Sequence, residues 1–333
     1  MTGREMRAAL GKTGLALLVA VLAAGPGLAE ETKDSPAVTA LKSLKLSGYA
    51  QMFGVAWDRG TDTFSLRRAR IALAGGIVKD LRFKLSVDVA KSPTLLDAEI
   101  EFEPAAVAGV RFGQFRVPFS LESYTSTADL DLVNRSSVVE ALAPGRDNLS
   151  SGRDVGVVLF GRVSFLEYTL GFVNGAGINK TDTNSHKDFS GRVILRPFAF
   201  LAVGGSLYRG RQTAVADEPL TVRDKEALEA VLSIKGFSLK SEYLHARDDL
   251  VSRSGWYAQA GYFAFPGKIQ AVVRYDSLDL DRAVPDNGTA IITLGLNWFI
   301  AGKTKLQVNY EIHRLESGGR TKSGLMAQFQ AAF

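Results

Sequence analysis

The chain has 333 residues, a formal net charge of +5 and no cysteine. The lack of cysteine excludes a disulfide scaffold and any thiolate metal site. The charge excess is small, and basic and acidic residues are interleaved along the chain, so no nucleic-acid partner is expected.

The first 29 residues carry the pattern of a secretory signal peptide. Basic residues precede the apolar run 14–24, and small residues end the segment at Ala29. A membrane-anchoring helix is the alternative, but the run is far shorter than the ~20 apolar residues that a spanning helix needs. We therefore predict a cleaved signal peptide over 1–29, followed by a short periplasmic lead-in over 30–43.

From residue 44 onward the chain alternates between apolar and polar residues. In one segment Leu81, Phe83 and Leu85 share a face, whereas Arg82 and Lys84 share the other. A soluble β-sandwich also alternates, but it rarely repeats a strongly charged face in strand after strand. A barrel with lipid outside and a wet interior explains the pattern better.

We therefore predict an all-β fold over 44–333, a transmembrane antiparallel β-barrel of the outer membrane. An even number of strands is expected of such a barrel. The pattern predicts sixteen strands, at 44–57, 64–75, 81–90, 96–103, 109–117, 153–161, 164–173, 188–196, 199–209, 224–234, 237–247, 255–264, 268–276, 289–299, 303–314 and 322–333.

The connections alternate between short turns and longer polar segments, an asymmetry typical of outer-membrane barrels. The segment 248–254 is among the predicted longer ones. The third outward connection, from Pro118 to about Gly152, is much longer than the rest, and such connections are usually functional. We predict that it folds into the lumen and narrows the pore; an ordinary external loop is the alternative.

The last ten residues form a strand with one apolar face. Leu325, Ala327 and Phe329 lie on that face, and the chain ends at the aromatic Phe333. A face of this kind suits contact with outer-membrane lipid. It resembles the C-terminal signal that outer-membrane barrels present to the assembly machinery, so Phe333 is the predicted assembly signal.

The histidines are poor candidates for catalysis. His186, His245 and His313 lie near predicted strand ends or loops in unrelated registers, whereas a hydrolase needs a Ser–His pair at hydrogen-bonding distance. Metal-ligand spacings of His or Cys are absent from the sequence, and the acidic loop pair Asp279 and Asp281 is more typical of a solvated loop than of a Ca²⁺ site. We expect no enzymatic activity, no metal and no cofactor.

Several stretches, taken in order and spacing over nearly the whole chain after residue 30, resemble the phosphate-selective porin O and P family. These stretches are 64–70, 75–88, 97–100, 111–126, 141–147, 256–260, 274–277, 294–298 and the terminal strand.

The resemblance implies a sixteen-stranded, homotrimeric outer-membrane porin without a cofactor, whose third loop folds inward. Phosphate-selective members of the family have a basic eyelet, and its paired arginines match Arg67 and Arg68, while its aspartate matches Asp97. The family's loop lysines fall near Ser123 and Ala128 and are absent here. These departures weaken the case for phosphate selectivity and leave the porin fold unaffected.

Charged residues of the predicted wall are the candidate selectivity residues. Strict alternation points Arg67 outward, unless the strand is bulged or that face lies at a subunit contact. Opposed basic and acidic rows either set a transverse field across the pore or form structural salt bridges, and the sequence leaves both open. Arg209 is added as a partial counterpart of the family's arginine column. The predicted pore-lining set is Arg67, Arg68, Arg70, Arg82, Lys84, Asp97, Glu99 and Arg209.

The function predicted from these patterns is passive diffusion of small inorganic ions and hydrophilic solutes, with an anion or phosphate preference as the finer hypothesis. The alternative is a structural or adhesive barrel with a plugged lumen, which usually needs large outer loops. Most outer connections predicted here are short.

Overall fold

The computed structural model describes residues 43–92, 94–212 and 220–333. The predicted signal peptide over 1–29, and all of the 30–43 lead-in except its last residue, lie outside the described residues. Over the described ranges, no helix is long and apolar enough to cross a membrane.

Sixteen antiparallel strands form one closed barrel, in which each strand pairs with its neighbours in sequence and β1 pairs with β16. The closing pair sets Gln51 opposite Gln330, and their side-chain amides hydrogen bond at 2.6 Å. The strands are β1 Lys45–Trp57, β2 Thr63–Val78, β3 Leu81–Asp88, β4 Leu95–Ala105, β5 Ala108–Arg116, β6 Arg153–Val163, β7 Leu166–Val173, β8 Asp188–Phe198, β9 Leu201–Gln212, β10 Thr221–Ile234, β11 Phe237–Asp248, β12 Val251–Phe265, β13 Ile269–Asp279, β14 Thr289–Ala301, β15 Thr304–Leu315 and β16 Arg320–Ala332.

The two faces of the barrel wall differ as the sequence alternation predicts. On β13, Val273 and Tyr275 are exposed, whereas Gln270 and Arg274 are buried. Large apolar side chains are exposed on almost every strand, and a closed barrel leaves no free edge in the bilayer. We call the side of the wall that carries Val273 and Tyr275 the apolar face, and the side that carries Gln270 and Arg274 the polar face.

Connections at one rim are tight. The two-residue turn Lys235–Gly236 has positive φ at both positions, 46° and 83°, as a type I′ hairpin requires, and glycine at the second position adopts that φ without strain. At the other rim, the segment 248–254 is a two-residue turn at 249–250, not the predicted longer loop, because β11 and β12 extend further than the alternation indicates. We call the rim with the Lys235–Gly236 turn the short-turn rim. The opposite rim, from which the long connection between β5 and β6 starts, is the long-loop rim.

The long connection between β5 and β6 has its own structure. It contains helix α1 (Leu121–Tyr124), a 3-10 turn (Thr127–Asp129) and helix α2 (Ser137–Leu142). Ser136 caps α2 by accepting a hydrogen bond from the Val138 N–H. Residues of α2 join an apolar cluster with side chains of β11, β12 and β13. This connection is therefore anchored by packing against the barrel wall.

Candidate functional site

The charged site begins at an irregularity in β2. Gln51 pairs with Arg68, but the next residue, Met52, pairs with Leu66, so Arg67 is an extra residue in β2. Such a β-bulge re-aims the bulged side chain. The sequence pattern pointed Arg67 outward unless β2 was bulged. The bulge is present, and Arg67 lies on the polar face with Arg68.

Hydrogen bonds define the surroundings of these two arginines. Arg67 donates to the Asn134 amide oxygen at 2.6 Å, which ties β2 to the long connection. Arg68 donates to the Gln51 amide oxygen at 2.8 Å. Among the described residues, Arg68 has no carboxylate within ion-pair distance, so its positive charge is not neutralised locally.

A second irregularity lies in β4. Ser86 pairs with Asp97, while the next residue, Val87, pairs with Leu95, so Leu96 is the extra residue. Leu96 is 4% exposed, although its neighbours follow the alternation of a membrane strand. This bulge places an apolar side chain beside Asp97 on the polar face.

The acidic row of β4 is paired with basic residues. Asp97 accepts from Arg153 Nε at 2.7 Å and lies 3.1 Å from Lys84 Nζ, which also lies 3.2 Å from Glu99. The β3–β4 register sets Lys84 directly opposite Glu99. Of the two interpretations left open by the sequence, the distances favour structural salt bridges. Arg70 is paired similarly, at 2.9 Å from Asp88.

Two of the predicted residues lie away from this cluster. Arg82 is exposed toward the short-turn rim, where it pairs with Glu101 and Glu103. Arg209 has the strand parity of the exposed Leu207, which puts it on the apolar face, where it pairs with Glu226. The placement of Arg209 in the lumen was wrong, because the resemblance gave its position in the chain but not the side to which its strand turns it.

Five arginines at the site were missed by sequence reasoning. Alternation in β5 could have indicated Arg111. The remaining four lie at the two ends of the long connection or within it, and that position was the only signal for them. A short sequence motif common to all five is absent, since contacts between segments bring them together. They are Arg111, Arg116, Arg135, Arg146 and Arg153.

Two cavities meet at this cluster, and both are bordered by Arg70, Leu96, Arg116 and Arg153. The larger, of about 680 Å³, is lined by six basic and two acidic side chains. The smaller, of about 290 Å³, is lined by seven basic and two acidic side chains. The basic side chains of the smaller cavity are Arg68, Arg70, Lys91, Arg116, Arg135, Arg146 and Arg153.

The histidines do not join this site. His245 Nε2 lies 3.1 Å from Ser252 Oγ, a distance that a serine hydrolase requires, and both have the parity of the apolar face. Across the β10–β11 register, Glu226 stands opposite His245, but its carboxylate binds Arg209. Among the described residues, no carboxylate forms a hydrogen bond that would orient this imidazole. Within the described ranges, no group of His, Cys, Asp or Glu could hold a metal ion.

The sequence model of the family described as phosphate-selective porin O and P matches residues 48–194 and 206–332. The chain belongs to this family. Family membership and the closed barrel make it an outer-membrane channel for passive diffusion. No curated protein matches the chain by sequence.

Solved structures share the fold of this porin at low sequence identity. OmpT of Vibrio cholerae, folded in vitro, is 12% identical with a TM-score of 0.65, covering 92% of this chain and all of that one. The outer-membrane channel DcaP of Acinetobacter baumannii is 12% identical with a TM-score of 0.61, over 86% and 97% of the two chains. A mutant of the Rh. blastica porin is 15% identical with a TM-score of 0.55, over 87% and 100%.

Proposed function

We propose that the long connection 117–152 lies in the lumen against the β8–β16 side and leaves an anion-preferring passage along β1–β6. The support is a set of hydrogen bonds between this connection and polar-face side chains of distant strands. Asn297 donates to the Asp131 carbonyl at 2.6 Å, and Lys305 donates to the Leu130 carbonyl at 2.6 Å.

The start of the connection is held in the same way. The Glu242 carboxylate on β11 accepts from the Leu121 and Glu122 N–H groups, each at 2.8 Å. It also accepts from the Tyr257 hydroxyl at 2.8 Å. Three donors therefore converge on this one carboxyl group, and together they oppose displacement of the connection by solute or voltage.

The apolar packing of α2 supports the same arrangement. Val138, Val139 and Leu142 are at most 1% exposed and cluster with Leu244 and Tyr257 of the wall. Burying an aliphatic side chain contributes about 1.5–3 kcal/mol relative to exposure. A porin with this packing keeps its passage narrow and constant in shape, with the open volume on the opposite side.

The excess of basic over acidic side chains around the smaller cavity, seven against two, is the observation that carries the anion preference. Arg68, Arg116 and Lys91 have no carboxylate within ion-pair distance among the described residues, so their charges act on a passing ion. Anions entering a constriction lined by such charges are favoured over cations.

Four further expectations from the sequence accompany this proposal. They are a cleaved signal peptide over 1–29, contact of the apolar face with outer-membrane lipid, assembly through the Phe333 terminus, and a homotrimer. A trimer form is known for the Vibrio cholerae OmpT barrel, which shares the fold at 11% identity. A preference for phosphate among anions is supported by the family description alone.

Planar-bilayer recording of the purified protein tests the function. A stable conductance whose reversal potential in a KCl gradient lies on the chloride side is expected. An absence of conductance would support the plugged structural barrel, and a reversal potential on the potassium side would overturn the anion preference. Block of the chloride current by micromolar phosphate would add phosphate selectivity.

A further inference from the structure

We propose that the larger cavity binds small organic carboxylates that carry an apolar or aromatic body, and binds them better than fully polar anions. This inference rests on the proposed anion preference and adds the chemical class of the solute. It comes from the arrangement of apolar side chains around one guanidinium group, that of Arg116, which is unpaired among the described residues.

The bulge at Leu96 supplies the main apolar contact. Regular alternation would turn Leu96 to the lipid, where a leucine is favoured. The extra residue in β4 instead buries it on the polar face, where it borders both cavities next to Asp97. Bulges often re-aim a side chain at a functional site, and here the re-aimed side chain cannot bind an ion or water.

Other apolar surface adjoins Leu96 in the larger cavity. Tyr49 and Tyr124 line it, and the Arg70 guanidinium lies 5.9 Å from the centre of the Tyr49 ring. The Tyr49 hydroxyl bonds Thr127, and the Tyr124 hydroxyl accepts from a guanidinium of the wall. With their hydroxyls engaged, the two rings offer mainly their carbon surfaces to a solute. Ala128, 5% exposed, also lines the cavity without a polar group.

Arg116 provides the carboxylate-binding side of the cavity. The hydrogen bond found for its guanidinium within the described ranges is to the Tyr124 carbonyl, at 2.7 Å. Arginine carries five N–H donors in a planar fork that fits a carboxylate, so most of this fork is available. Arg153, beside it, is bound to Asp97 at 2.7 Å and is already neutralised. A carboxylate on Arg116 would direct its body toward Leu96 and the tyrosine rings.

The size of the cavity agrees with such a solute. Its volume of about 680 Å³ lies within the roughly 300–1,000 Å³ typical of small-molecule sites. A hydrated inorganic anion gains nothing from the apolar wall, whereas an aromatic or aliphatic acid removes that wall from water. The expected discrimination is roughly tenfold, as one or two methylene-sized contacts give.

Block of single-channel chloride current tests the inference. Benzoate and cyclohexanecarboxylate are compared with acetate and inorganic phosphate on the wild-type porin and on the near-isosteric Leu96→Asn. Wild type is expected to be blocked at roughly tenfold lower concentration by the two ring acids than by acetate. Leu96→Asn is expected to remove most of that difference, and Leu96→Met to retain it.

Ala128→Ser provides a second variant if Leu96→Asn fails to fold, and it is expected to reduce the ring-acid advantage by a smaller factor. Equal block of wild type by benzoate and acetate would overturn the inference and leave the anion preference standing. A reversal potential on the potassium side in KCl alone would instead overturn the proposed function. An unchanged ring-acid advantage in both polar variants would also refute the role of the apolar wall.

Discussion

Replacing Arg116 by a neutral residue tests whether its positive charge acts on passing ions, because among the described residues this charge, unlike most others at the site, does not form a salt bridge that stabilises the fold. Its guanidinium borders both cavities and donates to the Tyr124 carbonyl at 2.7 Å. Within the described part of the chain, no carboxylate lies within ion-pair distance of it. Arg116→Gln therefore removes one positive charge without leaving a buried partner unpaired, and glutamine keeps a donor for the carbonyl.

The size of the effect follows from Coulomb's law. A unit charge 4 Å from an ion contributes about 1 kcal/mol in water and about 4 kcal/mol at an effective dielectric of 20. Six basic side chains remain around the smaller cavity once Arg116 is removed from the seven. Because the passage is wet, we take about 1 kcal/mol, which lowers chloride occupancy about fivefold at a rate of tenfold per ~1.4 kcal/mol.

The assay is the reversal potential in a KCl gradient at low ionic strength, converted to a chloride-to-potassium permeability ratio. Arg116→Gln is expected to lower the ratio by at least ~fivefold, and less at 1 M salt, where the Debye length falls to about 3 Å. Arg82→Gln is the matched control, since it makes the same charge change at an exposed side chain paired with Glu101 and Glu103. Equal effects of the two variants would refute the placement of the selective charge at Arg116.

Three further outcomes are expected. Asp97→Asn leaves Arg153 buried without its carboxylate partner and should cost about 3–5 kcal/mol of stability, seen as unfolding at lower temperature in a gel-shift assay; an unchanged transition would contradict the pairing. Partial burial, and then the nearby arginines of β2, lower the pKa of Lys91, so this side chain loses its charge at a lower pH than an ordinary lysine does. Anion preference should therefore fall as the pH rises from 7 to 10, and a Lys91→Met variant should respond less. Deleting Phe333 removes its two backbone hydrogen bonds with Gly48, at 3.0 and 3.1 Å, and should reduce membrane insertion more than unit conductance; normal surface levels would argue against the assembly role.

The strand pattern was predictable because it is a local property of the chain. A residue that faces lipid must be apolar and its neighbours need not be, so the period of two appears in segments such as 81–88 and in the terminal strand. The number of strands and the length of the third outward connection follow from the same reading, and both agree with the structure. Strand ends were less predictable, and β11 and β12 continue through polar residues expected to form a loop.

The site was predictable in part. Arg68, Arg70 and Asp97 follow from alternation and from the family resemblance, and the structure brings them to neighbouring cavities. Arg209 shows the limit of resemblance, because a match in chain position does not fix the side to which the strand turns.

The sequence by itself determined that this chain is a membrane barrel with an apolar and a polar face, since lipid imposes that requirement on every strand. The tertiary structure alone decided which side chains depart from the alternation. The bulges at Arg67 and Leu96 depend on cross-strand register, and the ion pair of Asp97 with Arg153 joins residues far apart in sequence. Register and long-range pairing are set by the closed barrel as a whole, so no local pattern could have placed a second arginine and a leucine on the polar face.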